Sequence, residues 1–422
     1  MIEYRKYILD NGLTLLTHEA WDTPLASLNV LYGVGSRDEE PHRTGLAHLL
    51  EHLMFGGTRK VPDFDAVVSG LGGESNAFTG CDCTNYYMTV PAGALATALA
   101  LEADRMTGFE VTAESLAVQQ KVVTEEYHQR YSNQPYGDVW KLLRPLCYKV
   151  YPYRWETIGA DIRHVGEATL EDVRAFHRRH YRPDNAVLAV AAPMSHDAMA
   201  ACVAEAWGVP LPTQMDDDER PSGMADGPDI VEPEQTEARE LRVERDVPST
   251  KLYLAYPMCD RTSPYYRACD LLSDVLGNGN SSRLFRRLVM EEGLMTEADA
   301  FISGDTGPGL LVLSGVPAEG VDAERAMAAL RAEAERLAAE EVDAYELQKV
   351  QNKYENTFVF SQYRPSDRAL GLCWYTWQGD TGMVNREPEE YRRVTPQLLR
   401  EAARQTFRGE RENRLYYQRR NS

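Results

Sequence analysis

Apolar and polar residues alternate along several short stretches of the first half of the chain, and this pattern predicts β-strands. TLLTHEA and SLNVLYGVGS alternate, and Asn11-Gly12 before them is a turn signal. TNYYMTV is predicted to be another strand, and NAVLAVAA a buried one. Helices are predicted around residues 48–52, ending at Gly56-Gly57, and for AGALATALALEADRM, SLAVQQKVVTEEYHQRY and LEDVRAFHRRHY.

The second half repeats this order weakly. A strand, KLYLAYPM, precedes a helix, YYRACDLLSDVLGNG. When CDLLSDVLGNG is set against AHLLEHLMFGG, the leucine pairs coincide, but His48 meets Asp270 and His52 meets Asp274. Apolar positions that persist while polar ones change indicate a duplicated domain. We therefore predict an α+β fold of two homologous domains, each a mainly antiparallel sheet covered by helices, with one active copy.

One stretch differs in composition from the rest of the chain. Residues 210–239 are rich in Pro, Asp, Glu and Gly and poor in large apolar residues. Such a segment cannot bury enough apolar surface to fold alone, so it is predicted to be an acidic linker. The predicted division is a first domain at residues 1–209, the linker at 210–239 and a second domain at 240–422.

Composition and charge exclude some classes of partner. The chain has 422 residues and a formal net charge of −20, which argues against a nucleic-acid-binding surface or attraction to an anionic membrane. We see neither a signal-peptide pattern nor a run of about 18 apolar residues. The seven cysteines are scattered, which favours reduced thiols and a cytoplasmic protein.

The sequence HLLEH at residues 48–52 carries candidate chemistry. Residues i and i+4 share a helix face, so His48 and His52 could hold one zinc ion. Glu51 lies close enough to deprotonate a water that the ion polarises. The alternative is an amphipathic helix with two hydrogen-bonded histidines. Its nearly continuous apolar flanks argue against this, because buried polar groups need partners.

A catalytic zinc needs a third protein ligand and an open coordination position. Glu125 and Glu126 in KVVTEEYHQ are candidates, and Glu102 and Asp104 in LEADRM are rivals. Paired glutamates on a helix more often form a solvated face. Periodicity alone does not decide among these four residues.

The context of HLLEH carries a family resemblance. VGSRDEEPHRTGLAHLLEHLMFGGT, GGESNAFT and TNYYMTVPA resemble the pitrilysin, or mitochondrial processing peptidase, family of zinc metallopeptidases with the inverted HxxEH motif. The two-domain length is that of its bacterial type. The resemblance implies a zinc metalloendopeptidase that cleaves unfolded or short peptides in a closed chamber. It makes His48, His52 and Glu126 the zinc ligands, with Glu125 as the fallback, and Glu51 the general base.

The resemblance also implies a substrate-binding strand. Asn76, Ala77 and Phe78 in GGESNAFT match the edge strand on which family members bind substrate. An extended peptide can add a strand to an open sheet edge through main-chain hydrogen bonds, whatever its side chains. The alternative is a glycine-rich turn that leads into an ordinary strand.

The second half departs from the family pattern. Active single-chain members carry an Arg and a Tyr seven residues apart that contact the substrate, and here Val289 and Thr296 stand at those positions. We therefore expect a homologous partner chain that supplies the pair in a heterodimer, with a homodimer as the alternative. The competing functions are a non-catalytic structural or assembly subunit of the same fold, and a peptide-binding subunit.

Overall fold

The computed structural model describes residues 1–215, 230–304 and 306–420. These residues form two compact units, each drawn from three stretches of the chain. As far as they are described, the first unit comprises Met1–Tyr127, Glu156–Asp229 and Phe358–Glu387, and the second comprises His128–Trp155, Ile230–Thr357 and Pro388–Ser422. None of the helices in the described ranges combines the length and apolar character that a membrane crossing requires.

The first unit is built on one sheet. Its described strands are β1 (Arg5–Ile8), β2 (Thr14–Glu19), β3 (Leu25–Tyr32), β4 (Glu74–Thr79), β5 (Thr84–Pro91), β6 (Ala186–Ala192) and β7 (Thr213–Gln214). They lie in the order β4-β5-β3-β6-β2-β1-β7, and only β2 and β6 pair in parallel. The sheet is therefore mainly antiparallel, with β4 at one edge.

Helices cover this sheet. Those that lie wholly in the first unit are α1 (Leu46–Met54), α2 (Phe64–Gly70), α3 (Leu95–Thr107), α4 (Ala113–Tyr127), α6 (Ile162–Glu167), α7 (Leu170–His180), α8 (His196–Trp207) and α12 (Pro365–Trp377). Local sequence sets several of their starts. Thr169, for example, accepts a hydrogen bond from the Asp172 amide in a capping box that begins α7.

The second unit repeats the plan with fewer strands. Its described strands are β8 (Arg239–Arg245), β9 (Lys251–Pro257), β10 (Met295–Ser303), β11 (Leu310–Pro317) and β12 (Asn413–Arg419), in the order β10-β11-β9-β12-β8. Its helices are α5 (Val139–Cys147), α9 (Tyr266–Gly277), α10 (Ala323–Ala339) and α14 (Pro396–Thr406). Two further helices contain residues of both units: α11 (Ala344–Phe360) and α13 (Met383–Arg392).

The two sheets share one topology. The order β4-β5-β3-β6-β2 corresponds strand by strand to β10-β11-β9-β12-β8, and in both sheets only the last pair is parallel. In each unit a helix follows the third strand of this series, α1 after β3 and α9 after β9. The predicted fold of two homologous, mainly antiparallel domains is confirmed.

The units differ from the predicted division of the chain in two segments. Residues 128–155 belong to the second unit and residues 358–387 to the first. Helix α12 explains the second of these segments, because its buried face packs on the first sheet. The Cys373 thiol on that face donates to the carbonyls of Asn29 (3.3 Å) and Val187 (3.4 Å). Residues 216–229, the centre of the predicted linker, lie outside the described residues.

Candidate metal centre

Helix α1 presents both histidines of HLLEH on one face. The helix starts at Gly45, whose φ of 91° favours glycine; a Cβ there would lie 2.6 Å from Val165 Cγ2. Leu46 and Leu50, on the opposite side of the helix, are buried in the core. The imidazoles of His48 and His52 lie edge to face with ring centroids 4.7 Å apart. Both side chains are half-buried rather than solvated.

Glu126, on α4, completes a cluster with the histidines. Its Oε2 lies 3.2 Å from Nε2 of His48 and 3.3 Å from Nε2 of His52. Two donors bound to zinc at about 2.0–2.1 Å and at the tetrahedral angle are about 3.3 Å apart. Two imidazoles and a carboxylate are also ligand types that zinc accepts. These three residues therefore fit a zinc ion, and the remaining tetrahedral position would be open.

The rival carboxylates lie elsewhere. Glu125 is exposed. Glu102 forms a buried ion pair with Arg105 at 2.5 Å, and Asp104 accepts a hydrogen bond from the hydroxyl of Thr58. Among the described residues, no second group of three metal-binding side chains has ligand atoms as close together as those of His48, His52 and Glu126. The geometry thus brings Glu126, and not its rivals, to the histidines.

The hydrogen bonds around His48 favour a positive charge at this place. Burial lowers the pKa of His48, but the hydrogen bond to Glu126 and the nearby Glu51 carboxylate outweigh it and raise the pKa to about 9. Without metal, the imidazole is therefore protonated at neutral pH. A metal cation that binds here must displace that proton, since only the neutral imidazole is a ligand.

Glu51 is held beside the cluster by a residue that the sequence did not reveal. The Thr79 hydroxyl donates to Glu51 Oε2 at 2.5 Å, and the same oxygen lies 3.6 Å from His48 Nδ1. No described residue hydrogen-bonds Glu51 Oε1. One oxygen is therefore anchored and the other can accept a proton. Thr79 directly follows the predicted substrate strand, but no local motif indicates that it reaches α1.

The strand predicted to bind substrate is the edge strand β4. It pairs with β5 only, with Asn76 opposite Tyr87 and Phe78 opposite Asn85, and no described strand pairs with its outer edge. Phe78 is 40% exposed although it is a large apolar residue. Because β4 ends at Thr79, which bonds to Glu51, the open edge leads to the candidate base.

The two positions that depart from the family pattern lie in the second unit. Val289 packs against that unit's hydrophobic core, and Thr296, on β10, is exposed. Three arginines lie within six residues of Val289 in the sequence. Arg283 is paired with Glu346 at 2.7 Å and Arg287 with Glu333 at 3.3 Å, whereas Arg286 is largely exposed.

Comparisons with known proteins agree with this geometry. A family model described as "Insulinase (Peptidase family M16)" matches residues 14–151, and one described as "Peptidase M16 inactive domain" matches residues 167–354. The zinc protease PqqE of Helicobacter pylori is 30% identical over 388 residues, which cover 90% of this chain and 84% of that protein. An uncharacterized zinc protease of Mycobacterium bovis is 32% identical over 292 residues, 69% of this chain and 65% of that protein.

Solved structures share the fold along the whole chain. The crystal structure of a protease from Helicobacter pylori matches with a TM-score of 0.88 and 26% identity, covering 99% of this chain and 100% of the other. A Pseudomonas fluorescens structure described as a peptidase M16 inactive domain matches with a TM-score of 0.83 over 100% and 98% of the two chains; at 18% identity it supports the fold alone. The predicted family is therefore confirmed: this chain belongs to the insulinase, or pitrilysin, family of peptidases, family M16, as a two-domain member of the bacterial type.

Proposed function

We propose that this chain is the zinc-bearing subunit of a metalloendopeptidase that cleaves unfolded or short peptides. The observation that carries the proposal is the placement of Glu126 Oε2 within 3.3 Å of both histidine Nε2 atoms, with Glu51 beside them. His48, His52 and Glu126 would hold the ion. The names of the relatives, which are called zinc proteases, support the same choice of metal.

The protein groups divide the remaining work. When bound, zinc supplies a Lewis acid that polarises the scissile carbonyl and lowers the pKa of water. Glu51 takes a proton from the attacking water on Oε1 and returns it to the leaving amine. Thr79 keeps Glu51 oriented through Oε2. A general base held in this way contributes about 10²–10⁴-fold to the rate.

Asn76, Ala77 and Phe78 would bind the substrate as an added strand. The outer edge of β4 offers main-chain groups that an extended peptide can pair with. A folded protein cannot present a free strand, so the site selects unstructured segments. The closed chamber and the cytoplasmic location remain predictions, the latter supported by seven free cysteines.

A partner chain would complete the enzyme. Val289 offers no charge or donor and Thr296 is shorter than a tyrosine, so the second unit lacks the Arg/Tyr pair. Arg283 and Arg287 are held in ion pairs and are poor substitutes. We therefore propose a heterodimer with a homologous chain that carries the pair. The same two positions favour the second candidate function, a peptide-binding subunit that cleaves slowly.

The test is an assay of the full chain on an unstructured peptide with one equivalent of zinc, alone and with the co-purifying homologous chain. We expect slow cleavage alone and a large increase with the partner, both abolished in Glu51→Gln. Full activity alone would overturn the division of labour. Stoichiometric zinc with no cleavage in either arm would favour the peptide-binding function.

A further inference from the structure

A short segment before α1 contacts both parts of the proposed site. Residues 35–39 form one turn of 3-10 helix at Ser36–Asp38, closed by the Gly35 amide donating to Asp38 Oδ2 at 2.9 Å. The segment lies between the metal-bearing helix α1 and the turn at residues 80–83 that joins β4 to β5. We call residues 35–39 the brace.

On one side, the brace caps α1. Both oxygens of the buried Glu39 carboxylate accept backbone hydrogen bonds at 2.9 Å, from the amides of Gly45 and Ala47. The first amides of a helix have no partner within the helix, and a carboxylate also favours the positive end of the helix dipole. His48 is the third residue of α1 and lies in this first turn. Glu39 therefore fixes the turn from which His48 projects.

On the other side, the brace holds the β4–β5 turn. The amides of Ser36 and Arg37 donate to the carbonyls of Gly80 (3.2 Å) and Cys81 (2.9 Å). The Arg37 guanidinium also forms a buried ion pair with Asp82 at 2.8 Å. The approach is close, because a Cβ on Gly35 would lie 2.4 Å from the Cys81 carbonyl oxygen. Thr79, which bonds to Glu51, directly precedes this turn.

We propose that the brace sets the position of α1 relative to the β4 edge, with Glu39 positioning His48 and the Arg37–Asp82 pair positioning Thr79 and the substrate strand. This inference rests on the proposed function for its catalytic meaning. Its structural part, the capping of α1 and the fastening of the turn, does not depend on zinc. Glu39 bonds to backbone amides of α1 and Arg37 pairs with the β4–β5 turn, so we assign both as positioning residues.

The first test is Glu39→Gln in the full chain, followed by amide hydrogen exchange without metal. Gln keeps one acceptor oxygen and loses the charge, so exchange of residues 46–49 should quicken about tenfold, a typical effect of a lost helix cap. The matched control is Thr395→Ala, which removes the side-chain cap of α14 in the second unit and should leave α1 unchanged. Unchanged exchange in α1 of Glu39→Gln would overturn the proposal.

Zinc binding and kinetics distinguish the two contacts of the brace, the one with α1 and the one with the β4–β5 turn. Glu39→Gln should weaken zinc binding about tenfold, the low end for groups that orient ligands, while Thr395→Ala should not. The methyl group of Gly35→Ala would collide with the Cys81 carbonyl and displace the β4–β5 turn, without leaving a buried charge unpaired. Because this turn positions the substrate strand, the variant should raise KM several-fold with zinc affinity unchanged. If both variants instead changed zinc affinity and KM together, in proportion to stability, the brace would be refuted as a positioning device.

Failure of the proposed function would look different. If the wild-type chain bound no zinc but Glu39→Gln still loosened the first turn of α1, the capping role would stand and the metallopeptidase proposal would fall. If zinc bound tightly and equally to wild type and Glu39→Gln, with unchanged exchange, the metal centre would stand and the brace would fall.

Discussion

The two units carry the same helix in the same place, but among the described residues only the helix of the first unit contributes to a His/His/Glu cluster. Helix α1 follows β3 and α9 follows β9, and both bury leucine pairs in the core of their unit. The polar positions differ completely. His48, Glu51 and His52 on α1 correspond to Asp270, Ser273 and Asp274 on α9. The second copy is therefore a natural control for the first.

Helix α4, which carries Glu126, and its counterpart α11 extend this comparison. The Gln120 side chain donates to three carbonyls at the end of α6, and Gln351 on α11 makes the same three contacts at the end of α13. Counting six residues on from each glutamine gives Glu126 in the first unit and Thr357 in the second. The glutamine that holds the helix end is present in both units, whereas the carboxylate of the proposed metal site is present only in the first.

The second unit fills the corresponding space with aromatic side chains. The rings of Tyr354 and Tyr391 stack with centroids 3.4 Å apart, and the Tyr391 hydroxyl donates to Asp270 at 2.5 Å. In the first unit, valines occupy the equivalent positions, Val123 and Val165. The fold thus stands without the His/His/Glu set. The fold therefore does not require these three residues, which favours a functional role for them over a structural one.

The largest expected effect is that of Glu51→Gln, which removes the proposed base from the first unit. Gln keeps the size of the side chain but cannot accept a proton, so kcat should fall about 10³-fold with zinc content unchanged. The measurement is cleavage of an unstructured peptide alongside metal analysis. The matched variant in the second unit, Ser273→Ala, should change neither. Equal kcat for wild type and Glu51→Gln would remove Glu51 from the mechanism.

Glu126→Thr gives the first unit the residue that the second unit has. Loss of one of three protein ligands should weaken zinc binding by more than about 100-fold, beyond the effect of second-sphere changes. A competition titration with a chelator measures this constant. Glu125→Gln alters the adjacent, exposed carboxylate and should leave affinity within about twofold. A larger effect from Glu125 than from Glu126 would reverse the ligand assignment.

The raised pKa of His48 predicts a pH-dependent metal affinity in the first unit. Because that pKa is about 9 without metal, zinc must displace one proton at neutral pH. Apparent affinity should then rise about tenfold per pH unit up to about pH 9. Calorimetry in buffers of different ionisation heat counts the released protons. Affinity that is flat between pH 7 and 9 would contradict the arrangement in which His48 is hydrogen-bonded to Glu126 and lies beside Glu51.

The sequence alone predicted the parts of the site that follow local periodicity. The i, i+4 spacing placed His48 and His52 on one face, and the family resemblance selected Glu126. Periodicity could not separate Glu126 from Glu102. Arg105 lies three residues after Glu102 in the sequence, but only the structure shows that the two form a buried ion pair, which removes Glu102 as a ligand. Thr79 and Glu39 were missed for a different reason: Thr79 bonds to a residue 28 positions away, and Glu39 bonds to backbone amides, so no local side-chain pattern indicates either contact.

The fold was predicted to a similar depth. Alternating strands, the duplicated helix and the turn glycines gave two related domains. The assignment of residues 358–387 to the first unit was not predicted. The apolar face of α12 could pack on the apolar face of either sheet, so it does not indicate which unit it joins. The strands on which α12 packs, β3 and β6, lie more than a hundred residues away in the sequence. A single sequence does not show which distant segments pack together.

The smallest expected difference between the units concerns acid stability. Burial, assisted by neighbouring arginines, lowers the pKa of His177 and of His180 on α7 to about 4; α14 carries Ala403 and Thr406 at these positions. As pH falls, the two histidines take up protons in the unfolded chain before they do so in the folded protein. The folded state is therefore fully stable, as far as these histidines are concerned, above about pH 6.5, and it loses stability as pH falls towards 4. Allowing for their partial exposure, we expect a loss of about 1–2 kcal/mol.

Hydrogen exchange resolved by segment checks this prediction. Between pH 6.5 and 4.5, after correction for intrinsic exchange, protection should fall in α7 and the strands beneath it more than in α14. His177→Ala, which copies Ala403, should reduce the difference. Equal acid sensitivity of α7 and α14 would show that the buried histidines do not control it.

The proposed metal centre can be tested in a crystal of the zinc-loaded chain, with diffraction measured on both sides of the zinc absorption edge. We expect one anomalous peak bonded to Nε2 of His48, Nε2 of His52 and a Glu126 carboxylate oxygen, and none beside Asp270 and Asp274. Absence of density at the histidines in zinc-saturated protein, or a peak in the second unit instead, would contradict it.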